Sequence, residues 1–245
     1  MPLAIIAILA FSSLATAFIS GILGMAGGMI LMGILLAFLP VPVAMVLHGL
    51  TQLASNAHRA WIWRREIHWP AFRGYAWGSL AALALLAGVQ FVVGKATAYV
   101  ALGLMPFVVL ALPEGLRIDI LRRGHAATCG ALCTGLSLTA GVSGPILDLF
   151  FVRSAMTRQA VVATKAASQC VSHAIKAAYF GVLLAGAGAV HPATAVAMIA
   201  LAFAGTQLSR PVLERLSEET FRKLTRWTVM TTSGFYLAKG FLMLV

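Results

Sequence analysis

Two runs of polar residues in this chain share one spacing. His48, Gln52, Ser55, Asn56 and Arg59 fall at steps of four, three, one and three; Lys165, Gln169, Ser172, His173 and Lys176 repeat those steps 117 residues later. Such steps keep side chains on one face of an α-helix. The chemistry available there is anion recognition. Carboxamides donate through their N–H groups, and an ammonium supplies charge and three further donors. Lys176 has no acidic neighbour in sequence, so its buried amine would either bind an anion or lose its proton. Gln52, Gln169 and Lys176 are therefore the first candidates for substrate contact, with Asn56 and His173 behind them. Ser55 and Ser172 fit that contact and fit equally a bond from helix to helix. Arg59 and Lys165 sit near helix ends, where long cations reach headgroups.

A second duplicated feature precedes each run. Gly24, Gly27 and Gly28 are matched, at the same offset, by Gly141, Gly144 and Pro145. Seven positions between Ser20 and Ala60 are identical across the offset: Ser20, Gly24, Gly27, Gln52, Ser55, Ala57 and Ala60. A glycine turn that opens a helix aims free N–H groups and a positive dipole end at the turn. Two such turns meeting near the bilayer midplane would cradle an anion. Close helix packing through small residues is the plainer alternative. Asp148, four residues past Gly144, is an acid in an apolar stretch, and is expected to be a proton site or a lysine partner or, equally, to satisfy a nearby helix end; His173 is the other candidate for proton coupling. Gly141-Val142-Ser143-Gly144 with His173 also resembles the serine–histidine dyad of rhomboid-type intramembrane proteases. That chemistry requires Ser143 hydrogen-bonded to His173. The matching turn at Gly24–Gly27 carries no nucleophile, so duplication explains the motif better.

The elements holding these residues are expected to be membrane helices. The chain has 245 residues, 60% hydrophobic and 10% charged, with a mean hydropathy of +0.93. Soluble domains carry about 25% charged residues, and only helices or closed barrels satisfy their backbone in lipid. Eight crossing stretches are expected, at 3–22, 43–63, 71–93, 97–113, 125–140, 160–185, 191–208 and 226–244. Shorter apolar pieces at 28–39 and 145–152 follow the glycine turns and complete broken hairpins. The first stretch lacks a basic leader and reads as mature helix. Cys129, Cys133 and Cys170 read as buried small residues, with no metal implied.

The net charge of +11 does not point to nucleic acid, because the cations are dispersed among short loops. Arg64, Arg65 and Arg73; Arg117, Arg122 and Arg123; Arg153 and Arg158; and Arg210 through Arg226 mark the cytoplasmic face. The connections near Lys95 and His191 fit the outer face. These assignments put residues 1–120 and 121–245 in opposite orientation, as two inverted-topology repeats of one integral membrane domain. The stretch from Arg210 to Arg226, with Glu218–Arg222 and Glu219–Lys223 at favourable spacing, is expected to be a short surface helix.

On Gly24-x-x-Gly27-Gly28, its counterpart at Gly141–Pro145 and the small-polar helix after each, the chain resembles the TauE/SafE sulfite-exporter family of permeases. It departs from the fuller glycine pattern at Ala26, Gly33 and Pro145. The resemblance implies a multi-pass protein of the bacterial inner membrane that moves sulfite, sulfonates or other organosulfur anions. The expected function is a secondary transporter, with no enzyme activity and no cofactor. Its site would be lined by Gln52, Asn56, Gln169, His173 and Lys176, by Ser55 and Ser172, and by backbone at Gly24, Gly27, Gly28, Gly141 and Gly144. No ATP-binding loop pattern occurs, so a proton or sodium gradient, or the substrate's own, would supply the energy. A passive anion channel is the alternative within transport.

Overall fold

The computed structural model describes residues 3–24, 26–88, 92–113, 118–152, 154–184 and 190–245. Met25 of the first turn, and Arg117 and Arg153 of the basic clusters, lie outside the described residues. In chain order the helices are α1 (Leu3–Leu23), α2 (Ala26–Phe38), α3 (Val41–Ile62), α4 (Trp69–Ala87), α5 (Lys95–Leu110), α6 (His125–Thr139), α7 (Gly144–Phe151), α8 (Arg158–Ala178), α9 (Pro192–Arg215) and α10 (Glu218–Leu242). Among the described residues there is no strand.

Local chemistry explains the boundaries. Gly24 (φ 70°) and Gly141 (φ 90°) adopt the left-handed conformation that ends α1 and α6, a region costly for any residue with a Cβ. Pro42 and Pro145 occupy the first turns of α3 and α7, where a missing N–H costs nothing. Thr157 and Ser217 cap α8 and α10 by accepting from the N–H groups of Ala160 and Thr220, each at 3.2 Å. The expected surface helix over Arg210–Arg226 does not form. α9 runs on through Pro211 to Arg215, and the Ser217 cap starts α10 at once. Of the pairs expected there, the side chains of Glu218 and Arg222 lie outside the described residues.

Four helix pairs dominate the packing: α1 with α9, α4 with α6, α3 with α8, and α5 with α10. α2 is buried along most of its length, with only Ala37 and Phe38 exposed at its end. Met29, Leu31, Met32, Leu35 and Leu36 are fully buried, as a helix apolar all round must be. The exterior is also apolar, with Phe11, Trp77 and Leu85 each more than 70% exposed. Among the described residues, twenty-one polar or charged ones are meanwhile buried, including His48, Gln52, Asn56, Ser172 and Lys176. A polar interior inside an apolar shell suits a hydrocarbon surrounding rather than water.

Of the eight expected crossings, Leu3–Leu23 and Pro192–Val212 are each long and apolar enough to cross a membrane alone, with hydropathies of 2.3 and 1.3. α3 and α8 have the length, 22 and 21 residues. Their polar faces depress the mean, because what they turn toward each other is not what they turn outward. α5 has 16 residues and α7 only eight, short of the roughly 20 needed to cross at 1.5 Å per residue.

Candidate functional site

The two polar stripes meet. α3 and α8 pack together, with His48 against Lys176 at one end and Arg59 beside Cys170 toward the other. As α3 is followed forward, its partner on α8 therefore runs backward, and the two helices lie antiparallel. Gly49 permits the approach. A Cβ added there would sit 3.1 Å from the His173 carbonyl and 3.2 Å from the Ala177 side chain.

Lys176 is fully buried and ties both halves of the chain together. Its Nζ donates to the Gly141 carbonyl at 2.7 Å and lies 2.6 Å from His48 Nδ1. His48 Nε2 lies 2.9 Å from the Gly28 carbonyl. One lysine and one imidazole thus span from the first glycine turn to the second. The His173 ring stands edge-on to His48 with centroids 5.6 Å apart. Among the described residues, Lys176 has no carboxylate partner. Asp148 pairs instead with Lys165, three turns earlier on α8.

The turns themselves are bordered by the same side chains. Gln52 lies against Gly28, whose added Cβ would fall 3.5 Å from the carboxamide. Arg59 reaches the Ser20 carbonyl at 3.5 Å, and Ser20 Oγ donates to the Gly24 carbonyl at 2.5 Å. Gly27 packs against α1, where a Cβ would fall 2.0 Å from the Thr16 carbonyl. Gly144 opens α7 and is buried.

Polar atoms are left over at the centre of the seam. Asn56 Nδ2 donates to the Gln52 carbonyl at 2.9 Å, which fixes Oδ1 as a free acceptor. That Oδ1 and His173 Nδ1 are buried without a protein partner. Gln52 and Gln169 make no carboxamide hydrogen bond among the described residues. Buried polar groups are nearly always satisfied, and an orphan asks for water, an ion or a ligand.

The serines behave differently. Ser55 Oγ is hydrogen-bonded to Thr206 Oγ1 at 2.7 Å, joining α3 to α9. Ser172 Oγ is hydrogen-bonded to Tyr75 OH at 2.7 Å and Thr134 Oγ1 at 2.8 Å, joining α8 to α4 and α6. Their hydroxyls are spent on helix-to-helix bonds. Ser172→Ala should therefore destabilise the protein by about 1–2 kcal/mol by stranding two buried hydroxyls. It should leave anion affinity near that of the parent, which a melting curve with and without anion would read. Ser143 caps α7 without a side-chain bond, and no hydrogen bond joins it to His173, so the geometry a serine–histidine dyad requires is absent among the described residues.

Cys129 and Cys133 are buried with their sulfurs 3.8 Å apart, whereas Cys170 is only half-buried. Among the described residues no group of three His, Cys, Asp or Glu side chains could hold a metal.

Sequence reasoning placed His48 in the stripe but gave it no role. Its bond to Lys176 crosses 128 positions of chain, and no spacing rule announces such a contact. Tyr75, Thr134 and Thr206 were missed because nothing in their own helices marks them as partners of Ser172 and Ser55.

No curated protein and no solved structure matches the chain. The family model described as "Sulfite exporter TauE/SafE" matches residues 9–236. That span takes in both glycine turns, both polar stripes and the lysine that links them, and the chain belongs to the TauE/SafE sulfite exporter family, whose members are membrane transporters.

Proposed function

We propose that this protein is a multi-pass secondary transporter of the bacterial inner membrane, carrying a small sulfur oxyanion of the sulfite or sulfonate class. The observation that carries the reading is the unpartnered polar set midway along the α3–α8 seam. Asn56 Oδ1 and His173 Nδ1, at repeat-equivalent positions, are both buried and unsatisfied. Gln52 and Gln169 flank them, and cations stand beyond at both ends: Lys176 at one, Arg59 and Lys165 at the other. An anion held among these groups would accept from His173 Nδ1–H and from the Gln52 and Gln169 carboxamides, donors that the protein leaves idle, while Asn56 Oδ1 would accept from a water or from the hydroxyl of a protonated oxyanion.

An inverted-repeat plan of eight crossings fits the packing. The 117-residue offset takes α1 to α6, α2 to α7 and α3 to α8, while the remaining order takes α4 to α9 and α5 to α10. Exchange of halves then turns the α1–α9 contact into the α6–α4 contact and α2–α10 into α7–α5. It returns α3–α8 and α5–α10 to themselves. All of these contacts occur. A pseudo-twofold axis through the α3–α8 seam accounts for the pattern, and alternating access would move residues 1–120 against 121–245 about that seam. An ion gradient or the substrate's own gradient would drive it.

The test is counterflow in proteoliposomes. Purified protein loaded internally with sulfite should take up radiolabelled sulfite saturably and faster than unloaded vesicles. Taurine and sulfoacetate would rank the sulfonates, and acetate would be the control. Conductance without acceleration by internal anion would indicate a passive channel. Absence of protein-dependent flux for every sulfur anion would overturn the reading.

A further inference from the structure

The bond between Lys176 and His48 constrains how many protons the pair can hold. A carbonyl oxygen only accepts, so His48 Nε2, 2.9 Å from the Gly28 carbonyl, carries a hydrogen in the neutral and the charged ring alike. Nδ1 is then the imidazole's exchangeable position, and it faces Lys176 Nζ at 2.6 Å. With a neutral ring, Nδ1 accepts from the amine. With a charged ring, Nδ1–H donates to the lone pair of a neutral amine. An ammonium opposite an imidazolium would put two hydrogens and two like charges across that one contact. The pair has room for one positive charge.

Among the described residues, the surroundings offer that charge no counter-ion. From α8, the titratable groups are His173, beside the imidazole, Cys170 and Lys165 further along, and Arg158 at the start. From α3 itself they are His58 and Arg59, toward the opposite end of the seam. α1 and α2 contribute none, the π-helical turn after α8 contributes Tyr179, the short helical turn Arg64–Glu66 contributes its three charged residues at the far end of α3, and α9 contributes Arg210 and Arg215 in its last turns, the side chain of Glu214 lying outside the described residues. α4 and α6, packed behind α8, bring Arg73, Tyr75, His125, Cys129 and Cys133. Asp148, on α7, is taken by Lys165. Among the described residues, the ionisable side chains against His48 are Lys176 and His173.

We propose that Lys176 and His48 form the proton-carrying element of the transporter, loading one proton with each anion and releasing it as the anion leaves. This rests on the transport function above and names its coupling ion. With anion bound, the charge sits on Lys176, whose ammonium offers the remaining N–H to the substrate. When the anion departs, the proton passes along the contact from Nζ to Nδ1. Nδ1 then gives it to water on the releasing side, and the amine is left neutral, donating to Gly141. Each cycle takes one proton from water on one side and returns one to water on the other, and only N–H bonds form or break. Intramembrane bases of this kind are typical of proton relays. Because Lys176 also holds Gly141 and His48 holds Gly28, each change of charge acts on both turns at once.

The decisive variant is His48→Asn. Asparagine accepts a hydrogen bond from Lys176 but cannot take its proton, so the carrier should exchange anion for anion yet fail to return empty. In proteoliposomes, sulfite–sulfite exchange should persist, while accumulation driven by a pH gradient should fall to that of protein-free vesicles. A pH dye trapped in wild-type vesicles should report one proton per sulfite, a readout independent of whether the variant folds. Net sulfite uptake by wild type without proton uptake, or undiminished pH-driven accumulation in His48→Asn, would overturn the proposal while sparing the transport function. Folded His48→Asn that loses exchange as well would also overturn it, by making His48 a binding residue. If wild type carries neither sulfite nor any of the sulfonates, the transport function itself fails.

Discussion

Lys176→Met should abolish sulfite-dependent behaviour while leaving a folded protein. Methionine approximates the length and volume of the lysine stem, so the fully buried position stays filled. Two consequences for stability oppose each other. The Gly141 carbonyl loses its donor, at about 1–3 kcal/mol for a stranded buried group. Against that, replacing a buried ionisable group by a well-packed apolar one is often neutral or favourable. The net change should stay within about 2 kcal/mol, or a few degrees in Tm. Binding has no such offset. Truncating one partner of a buried, charge-assisted contact typically costs about 2–5 kcal/mol, roughly 30- to 5,000-fold in affinity. The sulfite-induced rise in Tm and the counterflow signal should both vanish at concentrations that saturate the parent. Lys176→Arg should not rescue, because a planar, larger guanidinium has no free volume beside His48 and Gly141. A Lys176→Met protein that still binds and exchanges sulfite would remove lysine from the site.

The features that told most in the sequence were those fixed by local rules. Left-handed glycines at Gly24 and Gly141 end helices because of their own φ angles, and the stripes face inward because polar side chains avoid lipid. Most helix ends followed to within a few residues, but α4 stops at Ala87 rather than 93, α9 runs on to Arg215 rather than 208, and α10 begins at Glu218 rather than 226. What sequence could not give was the use made of each polar group. Ser55 and Ser172 look like site residues by spacing, yet their fate depends on Thr206 and on Tyr75 with Thr134, which lie in apolar helices elsewhere in the chain. Asp148 could have paired with either lysine of α8, and three helical turns along that helix decide for the part-exposed Lys165. The Arg210–Arg226 stretch is amphipathic enough to suggest a separate helix. Its break is set instead by Ser217, one capping residue among many polar ones.

Close backbone approach is the other property the sequence conceals, and α6 isolates it. Gly130 and Gly135 lie five residues apart in the same helix, with nothing local to distinguish them. A Cβ on Gly130 would fall 2.0 Å from the Tyr75 carbonyl of α4, while one on Gly135 meets nothing within 4 Å. The partner surface is made the same way, since a Cβ on Gly78 would fall 1.8 Å from the Ala127 carbonyl. Neither obstacle is a flexible side chain, so a methyl must push the two helices apart. Ser79 Oγ donates to the Gly130 carbonyl at 3.3 Å, and that bond would go with the separation. Gly130→Ala should therefore cost about 1–3 kcal/mol from overpacking alone and about 1 kcal/mol more for the lost bond. Gly135→Ala should stabilise by about 0.5–1 kcal/mol, because alanine is the better helix former. Melting of the two variants, followed by loss of the monodisperse size-exclusion peak, should thus move in opposite directions. The effect should reach function, because α6 runs directly into Gly141, whose carbonyl holds Lys176. Forcing α6 away from α4 shifts the turn on which the lysine rests, so any folded Gly130→Ala should also bind sulfite more weakly than Gly135→Ala. Equal melting temperatures for the two would mean that the α4–α6 seam is looser than the backbone spacing requires.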